Sequence, residues 1–234
     1  MPRVVKHPDI RRAEMLDRAL ALFLQHGYDN ISLNDLIADA GISKGAFYHW
    51  FPSKDALIAA LVERSARQAL AAVEDALAEC DGNALDRLNT VLRSGIDANM
   101  KSGGPEQLAA TVSVLGPDNA HLYGRIVSVE EALYRPLLTQ LIAEGVEEGI
   151  FDTFDPEGVA DMIYGLAART NSKILDVLQA DAESARDLAV DVLTTRFTLH
   201  GLAIDRILRL PDGSITTLTR ADVEAMVAAL PRNY

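Results

Sequence analysis

The sequence predicts an all-α protein, and three observations support this prediction. Apolar residues recur at steps of three and four along most of the 234 residues, which is the period of amphipathic helices. Helix-start residues stand before these stretches, and no segment shows the alternation that is typical of a strand. The composition, 49% hydrophobic and 24% charged, is that of a globular chain, and a chain of this length can bury a sizeable core.

The first predicted helices form a small N-terminal unit. Gly27 ends the first helix, since glycine readily adopts the left-handed conformation found just past a helix C-terminus. Ser32 begins the second helix, because Ser32 and Asp35 have the spacing of a capping box. Ser53 caps a longer helix that follows. The apolar stripe of the first helix comprises Ile10, Ala13, Leu16, Ala19, Leu20 and Phe23.

Further long helices are predicted after residue 80. Pro136 lies inside one of them, in a stretch that reaches about Glu148, and is expected to kink it. We therefore predict a head over residues 1–52 and a larger helical body over residues 53–234. The start signals in the body are Gly104-Pro105-Glu106, Pro117-Asp118, Asp155-Pro156, Ser184 and the capping box Thr219 to Asp222.

Charge is distributed unevenly between head and body. The net charge is −12, yet residues 1–60 contain seven basic and seven acidic side chains, so the acidity belongs to the rest of the chain. Such an arrangement favours contact between the head and a polyanion, although a solvated N-terminal tail explains it equally well. Four basic residues near the N-terminus face only Asp9: Arg3, Lys6, Arg11 and Arg12.

Several classes of protein are disfavoured by the sequence. The apolar runs reach only six residues and the N-terminus lacks an apolar signal segment, so a cytoplasmic protein without membrane spans is expected. A single cysteine, Cys80, excludes an internal disulfide and a cysteine zinc cage. His121 and His200 are isolated, so neither a metal nor a cofactor is expected. The adjacent pairs Glu130-Glu131 and Glu147-Glu148 are predicted to be solvated rather than catalytic.

Residues 32–51 have the pattern of a helix-turn-helix. An apolar stripe precedes Gly41, which breaks the helix, and a second stripe of Phe47, Trp50 and Phe51 follows. The outward residues of the second helix are small, polar or aromatic, so this helix can approach base edges and phosphates closely. These outward residues are Ser43, Lys44, Gly45, Ala46, Tyr48 and His49.

One rival motif overlaps this segment. Residues 41–45 read G-I-S-K-G and match G-x-S-x-G, the nucleophile elbow of α/β-hydrolases. That elbow requires a buried strand before the first glycine. Here the preceding residues have a helical period, with Asp35 and Asp39 on the outer side, so the hydrolase interpretation is disfavoured.

The region from about Ile10 to Leu57 resembles the DNA-binding domain of the TetR family of bacterial transcriptional regulators. The matching segments are F-x-x-x-G-Y at 23–28, S-L-x-D-L-I at 32–37, A-G-I-S-K-G-A-F-Y-H-W-F at 40–51 and P-S-K-D-A-L at 52–57. The resemblance covers about a fifth of the chain, while the remaining residues match only in the number and length of their helices.

The resemblance implies roles for individual residues. The helix holding Ser43 to His49 would enter the major groove, with Tyr48 and His49 on phosphates. Base readout would come from Lys44, Gly45 and Ala46. Lys54 and the capping hydroxyl of Ser32 would each contact a backbone phosphate. Asn34, on the preceding helix, is also a candidate contact, but Leu33 and Asn34 stand where some members have Thr and Arg.

The C-terminal helices, at about 155–179 and 184–210, are predicted to form a homodimer. The second of them is apolar on more than one side, so it needs a partner besides its own core. Gly165 and Gly201 lie within these helices, where close helix approach is a reason to retain glycine. The family pairs through its C-terminal helices, and a two-fold dimer would read a near-palindrome. A single thick monomeric core is the alternative.

The resemblance also implies a small-molecule effector held in the body. Polar or aromatic residues within apolar stretches are candidates to line its site, although residues of this kind are more often satisfied core or interface residues than ligand contacts. The expected function is thus a ligand-released repressor that binds double-stranded operator DNA and is not an enzyme. The alternative is a helical ligand carrier or enzyme with a vestigial head. The candidate lining residues are Asn99, Met100, Thr111, Tyr123, Tyr164, Arg169 and His200.

Overall fold

Helices make up the regular structure of the part of the chain that the computed structural model describes, which is residues 8–28, 30–101, 120–178 and 183–228. The all-α prediction is confirmed there, with no strand in these ranges. The helices are α1 (Pro8–His26), α2 (Leu33–Ala40), α3 (Lys44–Trp50), α4 (Lys54–Ala78), α5 (Ala84–Lys101), α6 (Ala120–Glu147), α7 (Pro156–Leu178), α8 (Glu183–Ile207) and α9 (Arg220–Ala228). Arg3, Lys6 and the helix starts predicted at 104–106 and 117–118 lie outside the described residues.

The predicted helix boundaries agree with the caps of the structure. The hydroxyl oxygen of Ser53 accepts a hydrogen bond from the Ala56 N–H at 3.0 Å, which satisfies a free donor at the start of α4. The Thr219 capping box before α9 is also present, because the Asp222 carboxylate accepts from the Thr219 N–H at 2.8 Å. Pro136 lies inside α6, which continues on both sides of it.

A first core holds the head together and includes the beginning of α4. Its largest fully buried side chains, Leu16, Phe47, Phe51 and Leu57, come from α1, from α3 and its C-terminus, and from α4. Burial of these side chains provides most of the driving force for assembling three short helices. The helix α4 packs into the head as far as Leu61, so the head core extends past residue 52. The domain boundary between residues 52 and 53 remains a prediction.

A second core forms the body from α4, α5, α6, α7 and α8. Its fully buried side chains include Val73 of α4, Leu88 of α5, Leu141 of α6, Ile163 of α7 and Leu208 just after α8. The helix α4 therefore contributes to both cores and forms a continuous connection between head and body.

The C-terminal helix α9 covers one side of α8. Ala189, Val190, Leu193 and Phe197 of α8 are buried against a small cluster that includes Val223 and Met226 of α9. Arg220 reinforces the contact through an ion pair with Asp191 at 2.7 Å. The apolar excess of α8 was predicted to face a second copy, but part of it is satisfied within the same chain.

Gly201 and Gly165 differ in what surrounds them. A Cβ atom added at Gly201 would lie 3.0 Å from Cγ2 of Thr217 and 3.3 Å from the carbonyl oxygen of Ile215, so the close approach is to the segment after α8. A Cβ at Gly165 would meet no heavy atom within 4 Å in the described residues. No helix within these ranges is long and apolar enough to span a membrane.

Candidate nucleic-acid interface

The capping box of α2 fixes the start of the helix-turn-helix. The Ser32 hydroxyl accepts from the Asp35 N–H at 3.3 Å and donates to the Asp35 carboxylate at 2.6 Å. The same carboxylate accepts from the Ser32 N–H at 2.8 Å. The hydrogen bonds from the Ser32 hydroxyl and backbone lower the pKa of Asp35 below its usual value. Ser32 is thus the N-cap of α2, and Asn34 is exposed in the first turn.

The turn between α2 and α3 depends on Gly41. Its φ of 63° lies in the left-handed region, and its N–H bonds the carbonyl oxygen of Ala38, which closes the helix. Arg18 of α1 donates to the carbonyl oxygen of Asp39 at 2.7 Å, so the end of α2 is held against the first helix. Because the helix α2 precedes Gly41, the strand that a nucleophile elbow requires is absent from this segment, and residues 41–45 are not a nucleophile elbow.

The short helix α3 has one buried and one exposed side. Phe47 is 2% exposed and Phe51 1%, and their ring centroids lie 5.8 Å apart. These two rings anchor the helix, while Trp50 packs at the edge of the same core. Every outward residue predicted from the sequence is exposed: Ser43, Lys44, Gly45, Ala46, Tyr48 and His49.

The exposed face of α3 combines small residues with hydrogen-bonding groups. Ser43 caps the helix by accepting from the Ala46 N–H at 3.2 Å. Tyr48 has 48% of its surface exposed, and its ring stands edge to face with the Phe47 ring, with the two centroids 6.3 Å apart. The rings of His49 and Trp50 stand edge to face, with their centroids 5.4 Å apart. The partly buried ring of Trp50 therefore orients His49, and the buried ring of Phe47 orients Tyr48.

Lys54 occupies a different place from the one expected for a phosphate contact. Its ammonium donates to the carbonyl oxygen of Tyr28 at 2.5 Å. It also lies 3.7 Å from the Tyr28 ring centroid and 5.7 Å from that of Phe23. The side chain is partly buried, and these contacts direct it into the head rather than onto the exposed side of α3.

Comparison with known proteins identifies this arrangement. The family model described as bacterial regulatory proteins, tetR family, matches residues 15–61, which run from the middle of α1 into α4. Residues 15–61 form a tetR-family domain. The family predicted from the sequence motifs is therefore confirmed.

Curated relatives extend the similarity beyond the tetR-family domain. The transcriptional repressor KstR2 of Mycobacterium tuberculosis is 26% identical over 168 residues, which cover 70% of this chain and 79% of KstR2. The transcriptional repressor NemR of Escherichia coli K12 is 34% identical over 77 residues, but these cover only 33% of this chain and 39% of NemR.

Solved structures share the fold over nearly the whole chain. A TetR-family transcriptional regulator from Pectobacterium atrosepticum is 21% identical, with a TM-score of 0.67 and coverage of 88% of this chain and 100% of that one. RolR, solved in complex with resorcinol, is 18% identical, with a TM-score of 0.56 and coverage of 95% and 96%. The body attached to the tetR-family domain thus has the fold of these regulators.

The structure places only some of the predicted body residues. Tyr164 of α7 donates its hydroxyl to the carbonyl oxygen of Val127 in α6 at 2.9 Å. His200 of α8 is half-buried, and burial together with the nearby charge of Arg196 lowers its pKa. Thr111 lies outside the described residues, as do the side chains of Asn99, Met100, Tyr123 and Arg169.

Glu130 is a body residue that the sequence analysis placed wrongly. Burial raises the pKa of its carboxyl group from 4.5 to about 7, so it does not belong to a solvated acidic face. Burial and the charge of Glu130 also raise the pKa of Tyr134, one turn further along α6, to about 12. The spacing of Val127, Glu130, Tyr134 and Leu138 follows the core-facing stripe of α6, a signal that could have identified Glu130.

Metal binding has no geometric support in the described ranges. Within them, no three His, Cys, Asp or Glu side chains come together as a metal-binding group would require. Glu147 and Glu148 are exposed, as predicted, and Glu148 accepts a hydrogen bond from the Ala84 N–H at 2.9 Å.

Proposed function

We propose that this protein is a transcriptional regulator that binds double-stranded DNA through the exposed side of α3. The observation that carries the proposal is the two-sided construction of this helix. Phe47 and Phe51 are buried, whereas the outward side offers hydroxyl, amine and imidazole groups beside small residues. A rigid helix that presents such a surface suits the major groove of duplex DNA.

The residue roles follow from side-chain length and chemistry. Tyr48 and His49, toward the end of α3, have the reach and the hydrogen-bonding groups to contact backbone phosphates. Lys44, Gly45 and Ala46, in its first turn, combine one cation with two positions that leave room for base edges. Ser43 and Ser32 cap the two helices, whose N-terminal N–H groups favour anions, and exposed Asn34 extends the same surface.

We further propose that two copies pair through α7 and α8. Three of the large exposed apolar side chains, Met162, Leu188 and Leu199, belong to these two helices. A groove between the helices has an apolar lining formed by Met162, Gly165, Leu166, Ala203 and Ile207. The opposite side of α8 is covered by α9, so this side, on which Leu188 and Leu199 are exposed, is available to a second copy. Paired heads would bind a palindromic operator.

An unidentified small molecule bound in the body is proposed to release the operator. RolR, which shares the fold, was solved in complex with its ligand resorcinol, and this supports small-molecule binding by a chain of this fold. Such a ligand would act by favouring a state in which the spacing of the two heads does not match the operator. It can shift the population toward this state only to the extent that it binds this state more tightly than the DNA-binding state. Tyr164 and His200 remain candidate lining residues, together with Asn99, Met100, Thr111, Tyr123 and Arg169.

The test is binding to DNA from upstream of the protein's own gene, measured by fluorescence anisotropy with unrelated DNA as competitor. Tyr48→Ala should weaken binding at least tenfold without lowering the melting temperature. Phe154→Ala is the matched control, because Phe154 is a fully exposed aromatic residue in the connection between α6 and α7. A helical carrier or enzyme with a vestigial head would show no sequence preference, and equal affinity in both variants would refute the contact assignment.

A further inference from the structure

Lys54 joins the two ends of the helix-turn-helix. Its ammonium donates to the carbonyl oxygen of Tyr28, 26 residues earlier, at 2.5 Å. Tyr28 follows the end of α1, and Lys54 is the first residue of α4, so α2 and α3 lie entirely between these two residues. The hydrogen bond therefore closes a loop that contains the complete recognition unit.

The surroundings of the Lys54 ammonium favour its hydrogen bond to the Tyr28 carbonyl oxygen. The ammonium lies 3.7 Å from the centroid of the Tyr28 ring, a distance at which the ring's negative face attracts a cation. The Tyr28 side chain is itself buried, and its ring packs at a tilt of 59° against the Phe23 ring with the centroids 5.4 Å apart, which fixes the Tyr28 ring beneath the ammonium. A phosphate would have to compete for the ammonium with a short hydrogen bond to a carbonyl and with an aromatic face.

We propose that Lys54 is a positioning residue, which sets the orientation of α3 relative to α1 and does not bind a DNA phosphate. The proposal rests on the proposed DNA-binding function. Three residues, 51–53, separate α3 from Lys54, and the first of them, Phe51, is fixed in the head core. Loss of the Lys54 bond would therefore allow the α2–α3 pair to shift as a unit relative to α1.

Salt dependence separates the two roles of Lys54. A lysine that neutralises a phosphate contributes about 0.9 to the slope of log affinity against log salt for each contact made. Lys54→Met should leave this slope unchanged, weaken operator binding at least tenfold and leave the affinity for unrelated DNA unaltered. Lys44→Met is the matched control, since Lys44 is exposed on α3, and it should reduce the slope for both kinds of DNA.

Lys54→Arg provides a second, conservative variant. Arginine keeps the positive charge and binds phosphate well, so a phosphate contact would survive this change. The planar guanidinium cannot reproduce the compact donor between the Tyr28 carbonyl and ring, so a positioning role predicts a loss of operator preference similar to that of Lys54→Met. Retention of wild-type operator affinity in Lys54→Arg would overturn the proposal.

Hydrogen exchange of the DNA-free protein tests the same closure independently of DNA binding. Amide protons of residues 33–50 should exchange at least tenfold faster in Lys54→Met and at the wild-type rate in Lys44→Met. Unchanged exchange, or a salt slope reduced as in Lys44→Met, would refute the positioning role. Absence of sequence-specific binding by the wild-type protein would instead refute the proposed function, while the exchange result would still decide the role of Lys54.

Discussion

The carboxylate of Asp205 accepts a hydrogen bond from the backbone N–H of Ile215, ten residues further along the chain, at 2.8 Å. Its second oxygen accepts from the Gly213 N–H at 2.7 Å, and the Asp205 side chain is fully buried. These bonds compensate for the lost hydration of the carboxylate. They fold the chain back after α8 and direct it toward α9.

Asp205→Ala should lower the free energy of unfolding by about 2–5 kcal/mol, because it leaves two N–H groups without their acceptor and also leaves a cavity. Asp205→Asn retains one acceptor oxygen and should cost less. Urea denaturation followed by circular dichroism measures both. Asp212→Ala is the control, since Asp212 is exposed and its 3.2 Å ion pair with Arg206 lies at the surface, where solvent screens it. Equal losses in Asp205→Ala and Asp212→Ala would contradict this account.

Glu130 should make the stability of the protein depend on pH. Its pKa is raised from 4.5 to about 7, so the folded state holds the proton more tightly than the unfolded state. The stabilisation is fully present below about pH 4.5 and is lost as the pH rises through 7, by up to about 3 kcal/mol. Glu130→Gln stays neutral, so its stability relative to the wild type should increase over this interval.

Denaturation of both proteins at several pH values between 4.5 and 8 tests the prediction for Glu130. The matched control is Glu147→Gln, at an exposed position near the end of the same helix. The stability difference between Glu130→Gln and the wild type should change more with pH than the difference between Glu147→Gln and the wild type. Equal changes with pH for Glu130→Gln and Glu147→Gln would show that the folded protein does not hold the Glu130 proton.

Local signals explain why much of the fold could be predicted from the sequence. The caps at Ser32, Ser53 and Thr219 involve residues three apart, so the spacing itself specifies the hydrogen bonds. The buried and exposed sides of α3 likewise follow from the spacing of Phe47 and Phe51. The helical boundaries and the outward residues of the candidate interface could therefore be assigned without tertiary information.

Tertiary relationships explain what the sequence analysis missed. Lys54 looks like an available cation in sequence, but its environment depends on Tyr28, whose carbonyl lies 26 residues away. Val190 and Leu193 of α8 have no local sign that α9 of the same chain covers them. The adjacent pair Glu130-Glu131 suggests a solvated face, whereas the packing of α6 partly buries Glu130 and raises the pKa of its carboxyl group.

Leu199→Glu should weaken the proposed dimer. Leu199 is 54% exposed on α8, on the side that α9 leaves uncovered, and a charge there would lose hydration on pairing. Sedimentation velocity should show a shift toward monomer of at least tenfold in dissociation constant. Phe154→Glu is the control, because Phe154 is fully exposed but lies in the connection before α7. If the chain is monomeric at all concentrations, or if both variants remain dimeric, the proposed interface is wrong.

Gly45→Ala should stabilise the protein and weaken its binding to DNA. A Cβ atom at Gly45 meets no heavy atom within 4 Å, and alanine is a better helix former than glycine. The melting temperature should therefore rise slightly, while the added methyl group separates α3 from base edges and lowers operator affinity. Gly124→Ala is the matched control, since a Cβ atom at Gly124 in α6 meets no heavy atom within 4 Å in the described part of the chain, and this variant should gain stability alone. If Gly45→Ala gains stability and keeps its affinity in an anisotropy titration, the first turn of α3 does not approach the bases closely.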